Sequence, residues 1–376
     1  MRIGIFVVMA GRQAGGPETY ELNLIRELLK RDNKNEYHIF CLGKHAKDAV
    51  KIEKTNIHYH ILWPKLRVIS VLFSLPISLL INKIDIYHAT FTPPPISPIP
   101  FIFTNHCFSN FQHPEFYPPK IRYRLNKLIT KGIKKSKLII CVSENIRELT
   151  AKKFNLPPER LAVVYHGVDK QFKPINEEKV RDALEQNFGI TTPYILFAGK
   201  LEARKNIVRL IEAFATCRDK MNTDIKLVLA GRRTWEPEVI EQKIDQLGIK
   251  DHIIEIGHVD NSDMPLLYNG AELFAFPSLW EGFGIPIIES MACGTPVVTS
   301  NNSCIPEVTG GAALLIDPYD VEDIATAFYT ILTDVKTKNE LIDKGIQRAK
   351  SFTWEKTAQQ TLDAYEKVAK HANIKS

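Results

Sequence analysis

The sequence predicts an α/β protein made of two doubly wound domains, and three observations predict it. At 376 residues the chain exceeds what one hydrophobic core usually serves, so two domains are expected. Short apolar runs alternate with amphipathic helical stretches along nearly its whole length, the signature of parallel strands covered by helices. Residues 163–174, VVYHGVDKQFKP, read as strand, glycine turn and proline-bounded connector, the make-up of an inter-domain linker. The boundary is therefore expected near residue 170.

Composition narrows the function classes. A hydrophobic fraction of 44% and a charged fraction of 24% are ordinary for a soluble globular protein. The six cysteines are scattered, with no CxxC, and the opening MRIGIFVVMAGR lacks a basic n-region and a cleavage site. Reduced thiols in a cytoplasmic protein are expected, rather than a disulfide framework or a zinc site. The net charge of +6 is moderate; nucleic acid would want a basic patch interleaved with exposed aromatics or a known reader fold, and no nucleic-acid partner is expected.

The one dense basic tract runs from Lys120 to Lys137, with eight Lys or Arg and no acid. Ile121, Leu125, Leu128 and Ile129 recur there at helical spacing, so an amphipathic helix is expected. Its basic side reads either as a solvated outer face or as a surface for an anionic membrane leaflet, worth about 1 kcal/mol per nearby basic residue. A second run, VISVLFSLPISLLI at 68–81, is shorter than the ~20 residues a membrane span needs and carries Pro76. It is expected to be a core or interfacial helix.

In the first half, residues 3–9 (IGIFVVM) form a continuous apolar run, as in a central parallel strand buried on both faces. Gly15 and Gly16 then make a loop. Tyr20, Leu22, Leu24, Ile25, Leu28 and Leu29 set the face of the helix that follows, and a glycine loop entering a helix favours anions. A glycine pair marks any turn, however, and the GxGxxG spacing of dinucleotide folds is missing, which argues against a dehydrogenase. Further strands are expected at 37–42, 57–62, 84–88, 99–104, 138–142 and 161–164. The proline-rich segment 91–100 cannot be helix. His106 stands just past the 99–104 strand, where open α/β sheets place their ligands.

In the second half, a strand at 194–198 runs into Gly199, and Ile207, Leu210, Ile211 and Phe214 mark a helix. Lys200, Arg204 and Lys205 cluster just before it. Cations oppose the positive end of a helix dipole, so an anion should compensate. A diphosphate would do so through charge-assisted hydrogen bonds of roughly 1.5–3 kcal/mol each. Strands at 225–230 and 253–256 and a helix at 264–268 follow. Residues 271–278 read as a buried strand, Gly282 and Gly284 as a turn, Pro286 as a first helical residue, Gly294 as the helix end and 296–300 as the next strand. Glu281 and Glu289 bracket that turn. A phosphate repels a carboxylate, so these two are expected to accept hydrogen bonds from sugar hydroxyls. Phosphate and hydroxyls together point to a nucleotide-sugar.

The stretch SLWEGFGIPIIESMACGTPVVTS (278–300) and the segment GKLEARKN (199–206) resemble the retaining GT-B glycosyltransferases of family GT4. The resemblance extends from Gly15 to Val368. It implies two Rossmann-like domains facing a cleft, divided as 1–170 and 171–353, with a C-terminal helix from 354 to 376 crossing back to the first. It implies retaining, metal-independent transfer from a nucleoside-diphosphate sugar, with no cofactor.

The same resemblance assigns the diphosphate to Gly16, Lys200, Arg204 and Lys205 and to the backbone of Gly284 and Ile285. It assigns ribose hydroxyls to Glu289, the transferred sugar to Glu281 and the nucleobase border to 257–260, Val259 among them. His106 matches the family histidine that reaches the sugar or acceptor, followed by His113, Pro114, Glu115 and Phe116. Cys107 replaces an aspartate common there, and Tyr165 with His166 replaces Pro-Asn, so His166 reads as structural. No Asp-x-Asp triplet occurs, which agrees with leaving-group stabilisation by cations and helix ends.

The GxLExRKN and HPEF segments are similar to those of mannosyltransferases of surface-polysaccharide assembly. GDP-mannose is therefore the expected donor, and the expected acceptor is a glycan or a lipid-linked molecule at the inner face of a membrane. A nucleotide-sugar epimerase or a non-catalytic binding protein of the same fold are the alternatives. The first would need further acid/base carboxylates; the second would lose Glu281 and His106.

Overall fold

The computed structural model describes residues 1–221, 224–233 and 237–374. The chain divides into two compact units, Met1–Gly167 with Thr353–Ser376, and Val168–Phe352.

The first unit holds seven strands: β1 (Arg2–Val7), β2 (Glu36–Cys41), β3 (Ile57–Ile61), β4 (Ile86–Ala89), β5 (Phe101–Asn105), β6 (Leu138–Cys141) and β7 (Leu161–Val163). All pair in parallel, in the order β3-β2-β1-β4-β5-β6-β7. The second unit holds β8 (Tyr194–Ala198), β9 (Lys226–Ala230), β10 (Ile253–Gly257), β11 (Leu273–Phe276), β12 (Val297–Ser300) and β13 (Leu314–Ile316). These too are parallel, in the order β10-β9-β8-β11-β12-β13. Central strands such as β6, β8 and β11 are buried at every residue, which is why they read as unbroken apolar runs rather than alternating ones.

Proline trims the expected strands. β12 begins at Val297 rather than 296, and Pro296 instead accepts the Phe274 N–H through its carbonyl at 2.9 Å. β5 likewise begins at Phe101, after Pro100. A proline has no N–H to give a ladder.

Two helices of the first unit depart from the expected faces. The helix Pro119–Lys135 buries only Gly132 and Ile133, and Ile121 is 48% exposed, so the stripe of Ile121, Leu125, Leu128 and Ile129 is only partly covered. Its seat is Gly132, where a Cβ would lie 2.2 Å from Pro93 Cβ. The 67–81 run is a helical stretch in three parts, Arg67–Ile69, a π-type turn Ser70–Ser74 and Leu75–Ile81.

The last helix, Trp354–His371, belongs to the first unit. Thr353 caps it by accepting the Lys356 N–H. Trp354, Ala358, Thr361, Tyr365 and Val368 are buried on one face. Tyr365 Oη lies 2.7 Å from His88 Nδ1, and Thr357 donates to the Tyr165 carbonyl at 2.7 Å. Gly167 lets the helix start close in, since a Cβ there would stand 2.2 Å from the Trp354 nitrogen.

Candidate functional site

Each sheet has one point where successive strands switch direction of growth, between β1 and β4 in the first unit and between β8 and β11 in the second. Open parallel sheets bind ligands outside the carboxyl ends of the strands at such points. The predicted residues gather at both.

In the second unit, the loops after β8 and β11 are locked together. A Cβ on Gly231 would fall 1.7 Å from the Gly199 carbonyl oxygen, so only glycine permits the crossing of the loops after β8 and β9. The chain then makes a short turn, Ala203–Lys205, ending at Asn206 in the left-handed region (φ 62°). Asn206 donates its amide to the carbonyls of Pro277 (3.1 Å) and Pro318 (2.6 Å). Leu279 N–H donates to the Arg204 carbonyl at 2.9 Å.

This arrangement brings Arg204 and Lys205 onto Glu281. Lys205 Nζ lies 2.6 Å and Arg204 Nη1 3.1 Å from the same oxygen, Glu281 Oε1. Arg204 also donates to the Trp280 carbonyl (2.7 Å) and pairs with Glu202 (2.7 Å). Lys205 Nζ stands 4.4 Å from the Phe276 ring centroid, and the Glu281 N–H donates to Ser303 Oγ at 3.2 Å. Lys205 and Glu281 are both buried. Burial alone would raise the Glu281 pKa, but Arg204 and Lys205 outweigh it and bring it down to about 2. Burial lowers the Lys205 pKa, and the Glu281 carboxylate only partly opposes this, because the like charge of Arg204 lowers it further. With Glu202 on Arg204, two cations face two carboxylates here, so an incoming anion would share Lys205 and Arg204 with Glu281 and Glu202.

The helix Ile285–Cys293 starts four residues after Glu281. Gly284 precedes it at φ 90° with no side-chain cap, and Ile285 is its buried first residue. Gly294 closes it in the left-handed region. Such a start presents first-turn N–H groups and the positive dipole end to an anion. Glu289 sits one turn in, buried, and accepts the Tyr268 hydroxyl at 3.1 Å. Burial raises its pKa to about 7; the Tyr268 hydrogen bond opposes the rise and Asp169 adds to it. Val259 lies past the end of β10, half-buried against the core of this unit. Lys200 is exposed on the loop after β8, and among the described residues no hydrogen bond or ion pair ties its side chain to the Glu281 cluster.

In the first unit, His106 follows β5 and its Nε2 lies 2.6 Å from the Thr90 carbonyl oxygen. A carbonyl only accepts, so Nε2 carries the proton and Nδ1 is left as an acceptor. Burial lowers the His106 pKa to about 4, the Thr90 contact opposing it. The ring is neutral at neutral pH, suited to accepting a hydroxyl hydrogen bond and a weak general base. Thr90 donates its hydroxyl to Glu21 at 2.8 Å. Glu21 is buried and accepts the N–H groups of Val8, Met9 and Ala10 at 2.7–3.1 Å. Glu18 accepts those of Gly11 (2.6 Å) and Ala14 (2.7 Å). The loop leading to Gly15 (φ 71°) and Gly16, first residue of the helix Gly16–Arg31, is thus built on two carboxylates. Where the family aspartate would follow His106, Cys107 Sγ lies 2.9 Å from Ser109 Oγ, itself 2.6 Å from Tyr117 Oη.

Sequence reasoning missed Glu21, Asn206, Tyr268 and Ser303. Glu21 carried a signal, a carboxylate on the same helix face as Leu24, Ile25 and Leu28. As metal donors, among the described residues Glu36, His38 and His58 place ligand atoms within 4.8 Å of one another. They lie on β2 and β3, where Arg2 holds Glu36 at 3.0 Å and His38 Nδ1 meets His60 Nε2 at 2.9 Å. None of the predicted site residues belongs to that group.

Comparison with known proteins decides the family. Residues 180–348 match the model described as Glycosyl transferases group 1, and residues 14–172 that of Glycosyltransferase Family 4. The chain is 34% identical over 263 residues to O-antigen chain mannosyltransferase B of Escherichia coli, covering 70% of this chain and 69% of that one. The chain belongs to glycosyltransferase family 4. This GT4 enzyme is also 28% identical over 248 residues to the serotype-specific mannosyltransferase WbdA of Escherichia coli, covering 65% of this chain but 30% of that longer protein. Its fold matches sucrose-phosphate synthase from Thermosynechococcus elongatus at TM-score 0.79 and 19% identity, over 98% of this chain and 99% of that one. It matches Anabaena Alr3699/HepE in complex with UDP-glucose at TM-score 0.79 and 18% identity, over 97% and 99%. The architecture of two parallel-sheet, Rossmann-like domains is the GT-B fold.

Proposed function

We propose that this GT4 glycosyltransferase moves a sugar, with retention of configuration, from a nucleoside-diphosphate sugar to a glycan or lipid-linked acceptor. The donor is GDP-mannose, and the product belongs to a cell-surface polysaccharide. The observation that carries the reading is the Lys205–Glu281–Arg204 cluster, Lys205 and Glu281 buried, at the β8/β11 switch point, beside an uncapped helix start. Mannose is supported by the mannosyltransferase relatives, and a nucleotide-sugar donor by the neighbour that holds UDP-glucose.

On this reading, Lys205, Arg204 and the N–H groups at Gly284 and Ile285 take the charge that builds on the leaving diphosphate. Preorganised electrostatic stabilisation of this kind usually dominates catalysis, and here it needs no metal or cofactor. Gly16 lets backbone approach phosphate, and Lys200 joins from its exposed loop. Glu289 accepts from ribose hydroxyls, and Val259 borders the nucleobase. Glu281, held ionised, accepts from hydroxyls of the transferred sugar while it shares Lys205 and Arg204 with the phosphates. His106 Nδ1 accepts from a sugar or acceptor hydroxyl. The place of action is the cytoplasmic face of a membrane, with the basic helix Pro119–Lys135 towards anionic lipid.

Incubation with GDP-mannose and a mannose-terminated glycan, followed by NMR of the anomeric centre, tests the reading. An α-linked product is expected. Isomerised donor without transfer would indicate an epimerase, and unchanged donor a binding protein.

A further inference from the structure

The helical stretch 67–81 and the loop before it present a surface that water does not explain. Val71, Leu75 and Leu79 seat the stretch on the first unit, as one stripe of a surface helix should. The opposite side, where polar residues are expected, is apolar as well. Trp63 is 82% and Ile81 73% exposed, and Leu66, Phe73, Ile77 and Leu80 are each more than half exposed. Phe73, Ile77, Leu80 and Ile81 recur at helical spacing on one face, and an apolar outer face of this kind marks an interaction site rather than scattered exposure.

The element is held in shape rather than frayed. Ser74 Oγ donates to the Trp63 carbonyl at 2.5 Å, and Ser70 Oγ to the Pro64 carbonyl. Arg67 donates to Thr92 Oγ1, and the next residue, Pro93, is the one that packs on Gly132 of the basic helix Pro119–Lys135. The apolar element and the basic helix are therefore joined through one short proline-rich segment.

Charge chooses the occupant. From Trp63 to Lys83 the chain carries Lys65, Arg67 and Lys83 and no acidic residue, and the basic helix adds none between Lys120 and Lys137. A second copy of this chain would set lysines against lysines with no carboxylate to pair them. A bilayer rich in anionic lipid satisfies both the apolar side chains and the cations. Among the described residues no helix is long and apolar enough to cross a membrane, so the element lies in the interface rather than spanning.

We infer that residues 63–81 are an interfacial anchor that inserts Trp63, Leu66, Phe73, Ile77, Leu80 and Ile81 into an anionic bilayer, with the basic helix on the headgroups. The anchor rests on the proposed place of action at a membrane, adds residues 63–81 to it, and is independent of the transfer reaction. Trp63 sits at headgroup level, where indole rings settle, and the apolar side chains supply the greater part of the binding.

Vesicle co-sedimentation of the full chain separates the outcomes without using the transfer reaction. Vesicles of phosphatidylglycerol with phosphatidylethanolamine should bind the protein, and pure phosphatidylcholine should bind it at least about tenfold more weakly. The triple variant Phe73→Ser, Ile77→Ser, Leu80→Ser should lose about tenfold or more in binding to the anionic vesicles. Its melting temperature and nucleoside-diphosphate affinity should stay at wild-type values, because those side chains face outward. Failure of the wild type to bind, or unchanged binding by the triple variant, would overturn the anchor. So would a dimer in size-exclusion chromatography that the triple variant abolishes, since that result assigns the surface to a second copy.

Discussion

Replacing Lys205 with alanine removes one of the two cations on Glu281 Oε1 and leaves Arg204 at 3.1 Å as the other. Taking one partner from a buried ion pair typically costs about 3–5 kcal/mol when the remaining charge is stranded. Here Arg204 still holds the carboxylate, so the loss of stability should be smaller, about 1–3 kcal/mol. The effect on the ligand is separate. A charge-assisted hydrogen bond from Lys205 to a diphosphate is worth roughly 1.5–3 kcal/mol, which raises the Kd about 10- to 150-fold. Calorimetric titration of GDP into wild type and Lys205→Ala reads the affinity, and thermal denaturation reads the stability. A Kd within about twofold of wild type in a folded variant would refute the phosphate role, because no cation of comparable burial could vanish from the site so cheaply.

Three other perturbations follow from the same geometry. If Glu281 accepts from the sugar as proposed, Glu281→Gln should cut turnover by about 100-fold or more while changing GDP affinity far less; steady-state kinetics beside calorimetry reads the split. The Glu289 pKa, raised to about 7 by burial, makes the ionised acceptor scarce in acid. GDP affinity should therefore fall as pH drops through 7, by about tenfold between pH 8 and 6, and Glu289→Gln should flatten that part of the profile and leave only the titration of the phosphate itself. Gly284→Ala puts a side chain at φ 90° with its Cβ 2.9 Å from Ile287 Cδ1. It should lower stability by about 1–3 kcal/mol and weaken diphosphate binding, read by melting and by calorimetry.

Much of the scaffold is legible in the chain because a doubly wound sheet buries its central strands on both faces. Residues 194–198 and 138–142 appear as bare apolar runs for that reason. Strand ends are less legible, and prolines at 100 and 296 move them by local chemistry that periodicity does not see. The segments 199–206 and 278–300 are legible as motifs, but their meeting is not. Lys205 and Glu281 are 76 residues apart, and only the β8/β11 switch and the Asn206 side chain bring them to one oxygen. Glu21 shows on its helix face, but its donors do not, because Val8, Met9 and Ala10 lie across a loop. The apolar run at 68–81 shows a further limit. Spacing says which residues share a helix face, whereas whether the fold supplies a partner for each face depends on the whole first unit. The faces of the basic helix were expected to be better covered than they are for the same reason.

The most direct measurement is calorimetric binding of GDP, UDP and ADP to the purified protein in EDTA. The account predicts binding of a nucleoside diphosphate without metal, with GDP preferred, and its loss in Lys205→Ala. No binding of any of the three at millimolar concentration would contradict the Lys205–Glu281–Arg204 phosphate site.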